Sequence, residues 1–267
     1  MQLTVIKQTF QRIFLLAALA ASVVACKKDK DKPSPDPLPG NAKLQQYTNG
    51  EDFIRFVYNA DGTVKKVILR TDLNTNGDEV EYNVTYNAQK KIASIESRWQ
   101  KIEPEYDNTG LVRARIFEDN KQIGYTNYHF ENGNLVDAVI YAGEAGVYVM
   151  SMGFNMTYTA QGNVSETAVF LANGEPDHLE RTGSVKFEYD QKTNPLYAHK
   201  DLLALFWQVP SKNNVTVENH LDAQMQPEDK YVYTYTYKAN GLPEKATVKQ
   251  GLPGEEPATS QLGFIYQ

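Results

Sequence analysis

Tyr231-Val232-Tyr233-Thr234-Tyr235-Thr236-Tyr237-Lys238-Ala239-Asn240-Gly241-Leu242 decides the fold class of this chain. Four tyrosines alternate with Val232, Thr234 and Thr236, so one face is aromatic and the other small and polar. Period two with a single aromatic face is the pattern of a half-buried antiparallel strand. Asn240-Gly241 then supplies residues that accept positive φ, and Leu242 begins the next strand.

The same device recurs seven times. An aromatic residue is followed by a few turn-formers, usually a glycine, and then an aliphatic residue. The other copies are Tyr58-Asn59-Ala60-Asp61-Gly62-Thr63-Val64, Tyr86-Asn87-Ala88-Gln89-Lys90-Lys91-Ile92, Tyr106-Asp107-Asn108-Thr109-Gly110-Leu111, Phe130-Glu131-Asn132-Gly133-Asn134-Leu135, Tyr158-Thr159-Ala160-Gln161-Gly162-Asn163-Val164 and Tyr189-Asp190-Gln191-Lys192-Thr193-Asn194-Pro195-Leu196. Lys90 stands where most copies have glycine, which predicts a weaker copy or another turn type. Upstream of the aromatics the alternation holds: Ile54, Phe56 and Tyr58 share a face, as do Phe154, Met156 and Tyr158. Spacings of 28, 20, 24, 28, 31 and 48 residues are each near one hairpin plus a loop. Such irregularity argues against a strict solenoid or propeller. The expectation is an all-β fold: a curved antiparallel meander of hairpins, forming an open sheet or a partial barrel.

These copies resemble YD repeats of the RHS type. Phe187-Glu188-Tyr189-Asp190-Gln191-Lys192-Thr193-Asn194-Pro195-Leu196 and Ser211-Lys212-Asn213-Asn214-Val215-Thr216 make the chain look similar to an uncharacterised family of β-rich lipoproteins built from such repeats. The resemblance covers residues 43 to 267 and carries no catalytic residues with it. Between those stretches, Asp201-Leu202-Leu203-Ala204-Leu205-Phe206-Trp207 is the one credible short helix, with Asp201 as a candidate N-cap. Apolar residues surround most of it, so it is expected to plug the core or to lie as a lid over a cavity.

The N-terminus gives an address. Residues 1 to 12 carry Lys7 and Arg12 and no acid, and Ile13 to Val24 follow as an apolar run too short to span a bilayer. Val23-Val24-Ala25-Cys26 resembles the lipobox of bacterial lipoproteins. The resemblance implies that residues 1 to 25 are a signal peptide and that Cys26 is acylated and becomes the first residue. Cys26 is also the one cysteine in the chain, so no intramolecular disulfide is available to it. Acyl chains anchor at about 0.8 kcal/mol per buried CH₂. Residues 26 to 42, with Lys27-Lys28-Asp29-Lys30-Asp31-Lys32 and Pro33, Pro35, Pro37 and Pro39, read as a disordered tether. Lys27 after the cysteine fits sorting to the outer membrane, on its periplasmic face or at the cell surface.

Removing residues 1 to 25 takes away two bases, which moves the formal charge from −6 to −8. The acids are dispersed, and nucleic acid is not an expected partner. A glycan, a lipid or an envelope protein is.

Candidate chemistry is sparse. Asp72, Asn74, Asn76 and Asp78, with Gly77 at the sixth position, mimic the front half of a calcium loop. Asn83 stands where the bidentate glutamate is needed, so a polar hairpin tip turned by Asn76-Gly77 competes with that reading. Calcium is the one cofactor weighed. His129, His178, His199 and His220 are too far apart for a helical metal pair and read as exposed singletons. Ser151 lacks the first glycine of a nucleophile elbow. Trp99, Trp207, Tyr233 and Tyr235 are candidates for stacking on a ligand, with plain sheet packing as the alternative. The sum is a lipid-anchored, non-enzymatic binding or scaffolding protein. A carrier of an apolar ligand under the sheet and a polysaccharide-acting hydrolase are the alternatives.

Overall fold

The computed structural model describes residues 42–70, 78–175, 177–252 and 256–267. The strands are β1 (Leu44–Asn49), β2 (Asp52–Tyr58), β3 (Val64–Arg70), β4 (Glu79–Tyr86), β5 (Ile92–Glu96), β6 (Gln100–Tyr106), β7 (Leu111–Glu118) and β8 (Lys121–Glu131). They continue as β9 (Asn134–Glu144), β10 (Val147–Tyr158), β11 (Val164–Ala172), β12 (Leu179–Thr193), β13 (Asn213–Asp222), β14 (Pro227–Tyr237), β15 (Pro243–Gly251) and β16 (Ala258–Tyr266). Each pairs antiparallel with its neighbour in sequence, and β1 pairs with β16.

The meander is therefore a closed barrel, which corrects the expectation of an open sheet or partial barrel. Tyr47 pairs with Phe264 and Thr48 with Gly263 across the seam. Lys43 and Gln267 exchange backbone hydrogen bonds of 3.1 and 3.0 Å beyond it. Closure satisfies two edges that an open sheet would leave unpaired. Among the described residues the barrel closes from β1 to β16.

The seven repeats fall at one end, which we call the mouth. Before every repeat aromatic the ladder shifts register, at Val57/Tyr58, Thr85/Tyr86, Glu105/Tyr106, His129/Phe130, Thr157/Tyr158, Glu188/Tyr189 and Thr236/Tyr237. One extra residue on the following strand, such as Lys65 opposite Val57 and Tyr58, is a β-bulge that sharpens the twist at the barrel rim. Four of the turns, after Tyr58, Tyr86, Tyr158 and Tyr237, share one bonding pattern. Asn59 N donates to Thr63 O and Gly62 N to Asn59 O; Asn87 N donates to Lys91 O and Lys90 N to Asn87 O. Gly62 has φ +90° and Lys90 takes the same role at φ +59°. So Lys90 keeps the turn type and bears the left-handed conformation itself, which answers the alternatives raised by its sequence.

The aliphatic and aromatic faces point inward. Phe56, Val67, Ile95, Ile140 and Leu203 are almost fully buried in one continuous core. The wall outside is polar. On β4 it presents Glu79, Glu81, Asn83 and Thr85 while Val80, Tyr82 and Val84 are buried. Lys66 pairs with Glu81 at 2.6 Å and Arg115 with Glu105 at 2.7 Å across outward faces. Tyr125 and Tyr141 stack there at 4.6 Å, but beneath the guanidinium of Arg113. A membrane-spanning barrel carries an apolar outer band about 25 Å tall; this wall has its polarity the other way round. Among the described residues no helix is long and apolar enough to cross a membrane.

The connection from β12 to β13 enters the barrel. A 3-10 turn, Pro195–His199, is capped by Asn194, whose side chain accepts from Leu196 N at 3.0 Å. Helix α1 (Lys200–Ala204) follows, with His199 at its N-cap position and Asp201 in its first turn. Asp201 is thus not the cap, because the preceding turn already shapes the entry. Leu202, Leu203, Ala204, Leu205 and Phe206 are all buried, and Phe206 meets Tyr82 edge-on at 5.3 Å. The segment is a plug in the core.

Candidate functional site

Seven tyrosine hydroxyls shape the mouth. Tyr58 at the end of β2 donates to Leu44 O at the start of β1, at 2.6 Å. Tyr86 donates to Val64 O at 3.0 Å, Tyr158 to Leu135 O at 2.6 Å, Tyr189 to Val164 O at 2.8 Å and Tyr266 to Pro243 O at 2.9 Å. Tyr106 bonds the backbone of Ile92 in the same way. The rule is geometric. In an antiparallel pair the last residue of one strand lies beside the first residue of the strand before it. A tyrosine there reaches one strand back and latches it. Tyr237 departs, donating to Asp190 instead. Phe130 has no hydroxyl to donate. Tyr266 makes the same latch, although the glycine-turn motif of the repeats does not accompany it.

Below this ring the plug closes the barrel, and above it a cavity of about 720 Å³ opens at the mouth. Leu44, Val64, Ile92, Leu111 and Leu202 make its apolar floor, and Tyr58, Tyr86, Tyr106 and Phe130 its walls. Lys43, Lys90, Lys91, Lys200 and Asp201 line its rim, and Asp61 lies 3.5 Å from the ammonium of Lys90. The ammonium of Lys43 lies 5.2 Å from the Tyr58 ring centre and that of Lys91 lies 4.8 Å from the Tyr106 ring centre. Such contacts hold the amines over the walls at about 0.5–1 kcal/mol each. Burial and the nearby Asp201 push the Tyr106 hydroxyl up to about 12, so the wall phenols stay neutral.

His199 forms part of the plug's outer surface. Its ring stacks on Phe56 at 4.1 Å, and its Nε2 lies 3.0 Å from the Tyr58 oxygen. Tyr58 spends its proton on Leu44 O, so its oxygen accepts from Nε2–H and the tautomer is fixed. Burial lowers the His199 pKa to about 4. His220 is also engaged, at 2.9 Å from the buried carboxylate of Glu218. Of the four histidines expected to be exposed singletons, His129 and His178 are exposed. The other two face inward, one on the plug and one on β13.

The residues singled out in the sequence are scattered. Trp99 lies at the end opposite the mouth, half exposed, with the Arg98 guanidinium 3.8 Å from its ring centre. Trp207 sits in the plug and donates from Nε1 to Thr126 Oγ1 at 3.0 Å. Tyr233 and Tyr235 come together, with ring centres 6.5 Å apart in the packed interior. Tyr233 donates to Glu218 there. Cys26, Asp72, Asn74 and Asn76 lie outside the described residues, and Asp78 is exposed just before β4. Among the described residues no three of His, Cys, Asp and Glu converge as a metal site would need. The mouth lysines were not legible as a group, since they sit in three separate segments. Lys90-Lys91 in place of a turn glycine was their one local signal.

No family model matches the sequence, and no curated protein matches it. Solved structures do. A crystal structure of a porin-like protein from Bacteroides uniformis aligns over 88% of this chain and 99% of its own, at 11% identity and a TM-score of 0.52. A porin-like protein from Bacteroides vulgatus aligns over 85% and 99%, at 13% identity and a TM-score of 0.50. The chain shares with these two proteins a closed antiparallel β-barrel fold. A crystal structure of TcdB2-TccC3-TEV aligns over 78% of this chain and 12% of its own, at 12% identity. Its TM-score of 0.35 is below the level at which a shared fold follows. The two barrel neighbours support an all-β meander. The outward charges of this chain distinguish its wall from that of a lipid-facing barrel.

Proposed function

We propose that this chain is a lipid-anchored envelope protein whose barrel stands in water and binds an anionic ligand at its mouth, without catalysis. One observation carries the reading: four lysines line the rim of a cavity with aromatic walls, with Asp201 among its lining residues and Asp61 3.5 Å from Lys90, in a chain of net negative charge. Cations gathered where the rest of the surface is acidic favour an anion, and a cavity of about 720 Å³ lies within the usual range for small ligands. The aromatic walls suit the apolar or sugar portion of such a molecule.

The polar outer wall supports a barrel beside the bilayer rather than through it. Attachment then falls to Cys26 and its tether. A Cys26→Ser chain is expected to leave the membrane fraction of the cell in a high-salt wash that screens the mouth lysines, and retention after that wash would overturn the anchor. Binding is tested by calorimetry with inorganic phosphate and with an acidic oligosaccharide. Saturable heat that weakens in Lys91→Gln and Lys200→Gln variants supports the site. Silence with both ligands counts against it, and turnover of either ligand would overturn the non-catalytic reading. The carrier alternative has less room. The cavity bordered by Leu196, Glu218 and Tyr233 measures about 40 Å³, too small for an acyl chain.

A further inference from the structure

Ala42 and Lys43 both border the mouth cavity. The chain that leads back to Cys26 therefore leaves the barrel from the rim of the mouth. It spans only the sixteen residues from Lys27 to Ala42, a reach of roughly 50 Å at about 3.1 Å per residue.

Charge divides along the barrel axis. Connections at the mouth carry Lys90, Lys91, Lys200, Lys212 and Lys238, with Lys43 before β1, against Asp61, Asp107 and Asp201. Described connections at the opposite end carry Glu51, Asp78, Asp119, Glu175, Asp177 and Glu256, against Arg98. A negatively charged membrane surface attracts the first end and repels the second. The tether and the charge thus favour one orientation, with the mouth toward the surface that holds the anchor.

Resting on the anchored, anion-binding reading above, we propose that the mouth faces the membrane and receives the phosphate headgroup of an anionic lipid. The lysines of the rim meet the phosphate. The walls of Tyr58, Tyr86 and Tyr106 and the floor at Leu44 and Ile92 accept the glycerol and upper-chain carbons. Docking by several lysines over an apolar floor holds the barrel upright on its tether, with the acidic end presented outward.

The experiment is flotation of residues 43–267, which hold the complete barrel, with vesicles of phosphatidylcholine alone or mixed with phosphatidylglycerol. Binding to the mixed vesicles only, weakening as salt rises, is the expected result. Removal of a lysine near an anionic surface lowers partitioning about five-fold, so Lys90→Gln/Lys91→Gln/Lys200→Gln is expected to lose about 100-fold. Lys121→Gln, at the opposite end, is expected to bind as the parent does. Circular dichroism confirms that each variant is folded. Equal binding to both vesicle types, or a triple variant that binds like the parent, overturns the proposal. Binding of the acidic oligosaccharide without binding to vesicles overturns it too, while leaving the anion-binding mouth intact. No binding to vesicles, phosphate or oligosaccharide removes both readings. Vesicle binding by residues 43–267, together with a Cys26→Ser chain that stays in the membrane fraction after a high-salt wash, removes the anchor and keeps the headgroup site.

Discussion

The hydroxyl of Tyr158 donates to the carbonyl of Leu135 at 2.6 Å, tying the end of β10 to the start of β9. The partially buried bond closes the rim on the side away from the turn, so each hairpin is fixed both to the next strand and to the previous one. Tyr158→Phe keeps the ring and removes only the latch. A net loss of about 1 kcal/mol is expected from one such bond. Urea unfolding measures it, and an unchanged midpoint would show that water replaces the hydroxyl at no cost.

Phe130 is the reciprocal case. It ends β8 where the other repeats place a tyrosine, beside the start of β7 at Leu111. Phe130→Tyr offers a hydroxyl to the Leu111 carbonyl at a site whose backbone already follows the repeat. A gain of about 0.5–1 kcal/mol is expected. In a domain of this size that raises the melting temperature by about 1–4 °C. A fall in melting temperature would mean that the mouth has no room for the oxygen.

Lys90 adopts φ +59° in a turn whose counterpart at Gly62 has φ +90°. Left-handed backbone costs a side-chain-bearing residue about 1–2 kcal/mol, and glycine returns part of that gain as chain entropy. Lys90 also faces Asp61 at 3.5 Å, but the pair is exposed and contributes little. Lys90→Gly is therefore expected to stabilise the barrel by about 0.5 kcal/mol while weakening anion binding at the mouth. Parallel unfolding and binding curves separate the two effects. A lysine held in strained backbone at the rim costs stability, which fits a position kept for its charge.

The strands were legible because burial writes itself into period two: Ile54, Phe56 and Tyr58 alternate, and all three face inward. The plug was legible for a related reason, since a segment apolar on every side has to be buried. Closure was not. Nothing local to Leu44 or Tyr266 says that the two strands containing them pair, because an edge and a seam have the same alternation. The latches were hidden too. The repeats showed a recurring device within this chain, but the backbone partners of the latching hydroxyls lie 14 to 25 residues earlier, at 44 for Tyr58 and 164 for Tyr189. The mouth lysines come from positions 43, 90, 91 and 200 and converge only once the meander has closed. Trp99 and Trp207 looked alike in sequence. They separate in space because one ends a hairpin far from the mouth and the other rides on the plug.

Burial of His199 sets the acid limit of the plug. Its folded pKa is lowered from 6.5 to about 4 by burial, so the unfolded chain binds more protons between those values. Stability is then unaffected by this group above about pH 6.5. As pH falls from 6.5 toward 4, it drops by up to about 1.4 kcal/mol per unit. Protonation places a charge against Phe56 beneath the mouth, so the plug is the part expected to loosen first. Thermal unfolding across this range, compared with a His199→Phe variant, isolates the contribution: the parent should lose stability on acidification more steeply. Asp190 and Asp137 cannot produce that slope. Burial raises their carboxyl pKa values, so these groups favour the folded state more as pH falls. Equal slopes in parent and variant would mean that the His199 ring swings to solvent before it titrates.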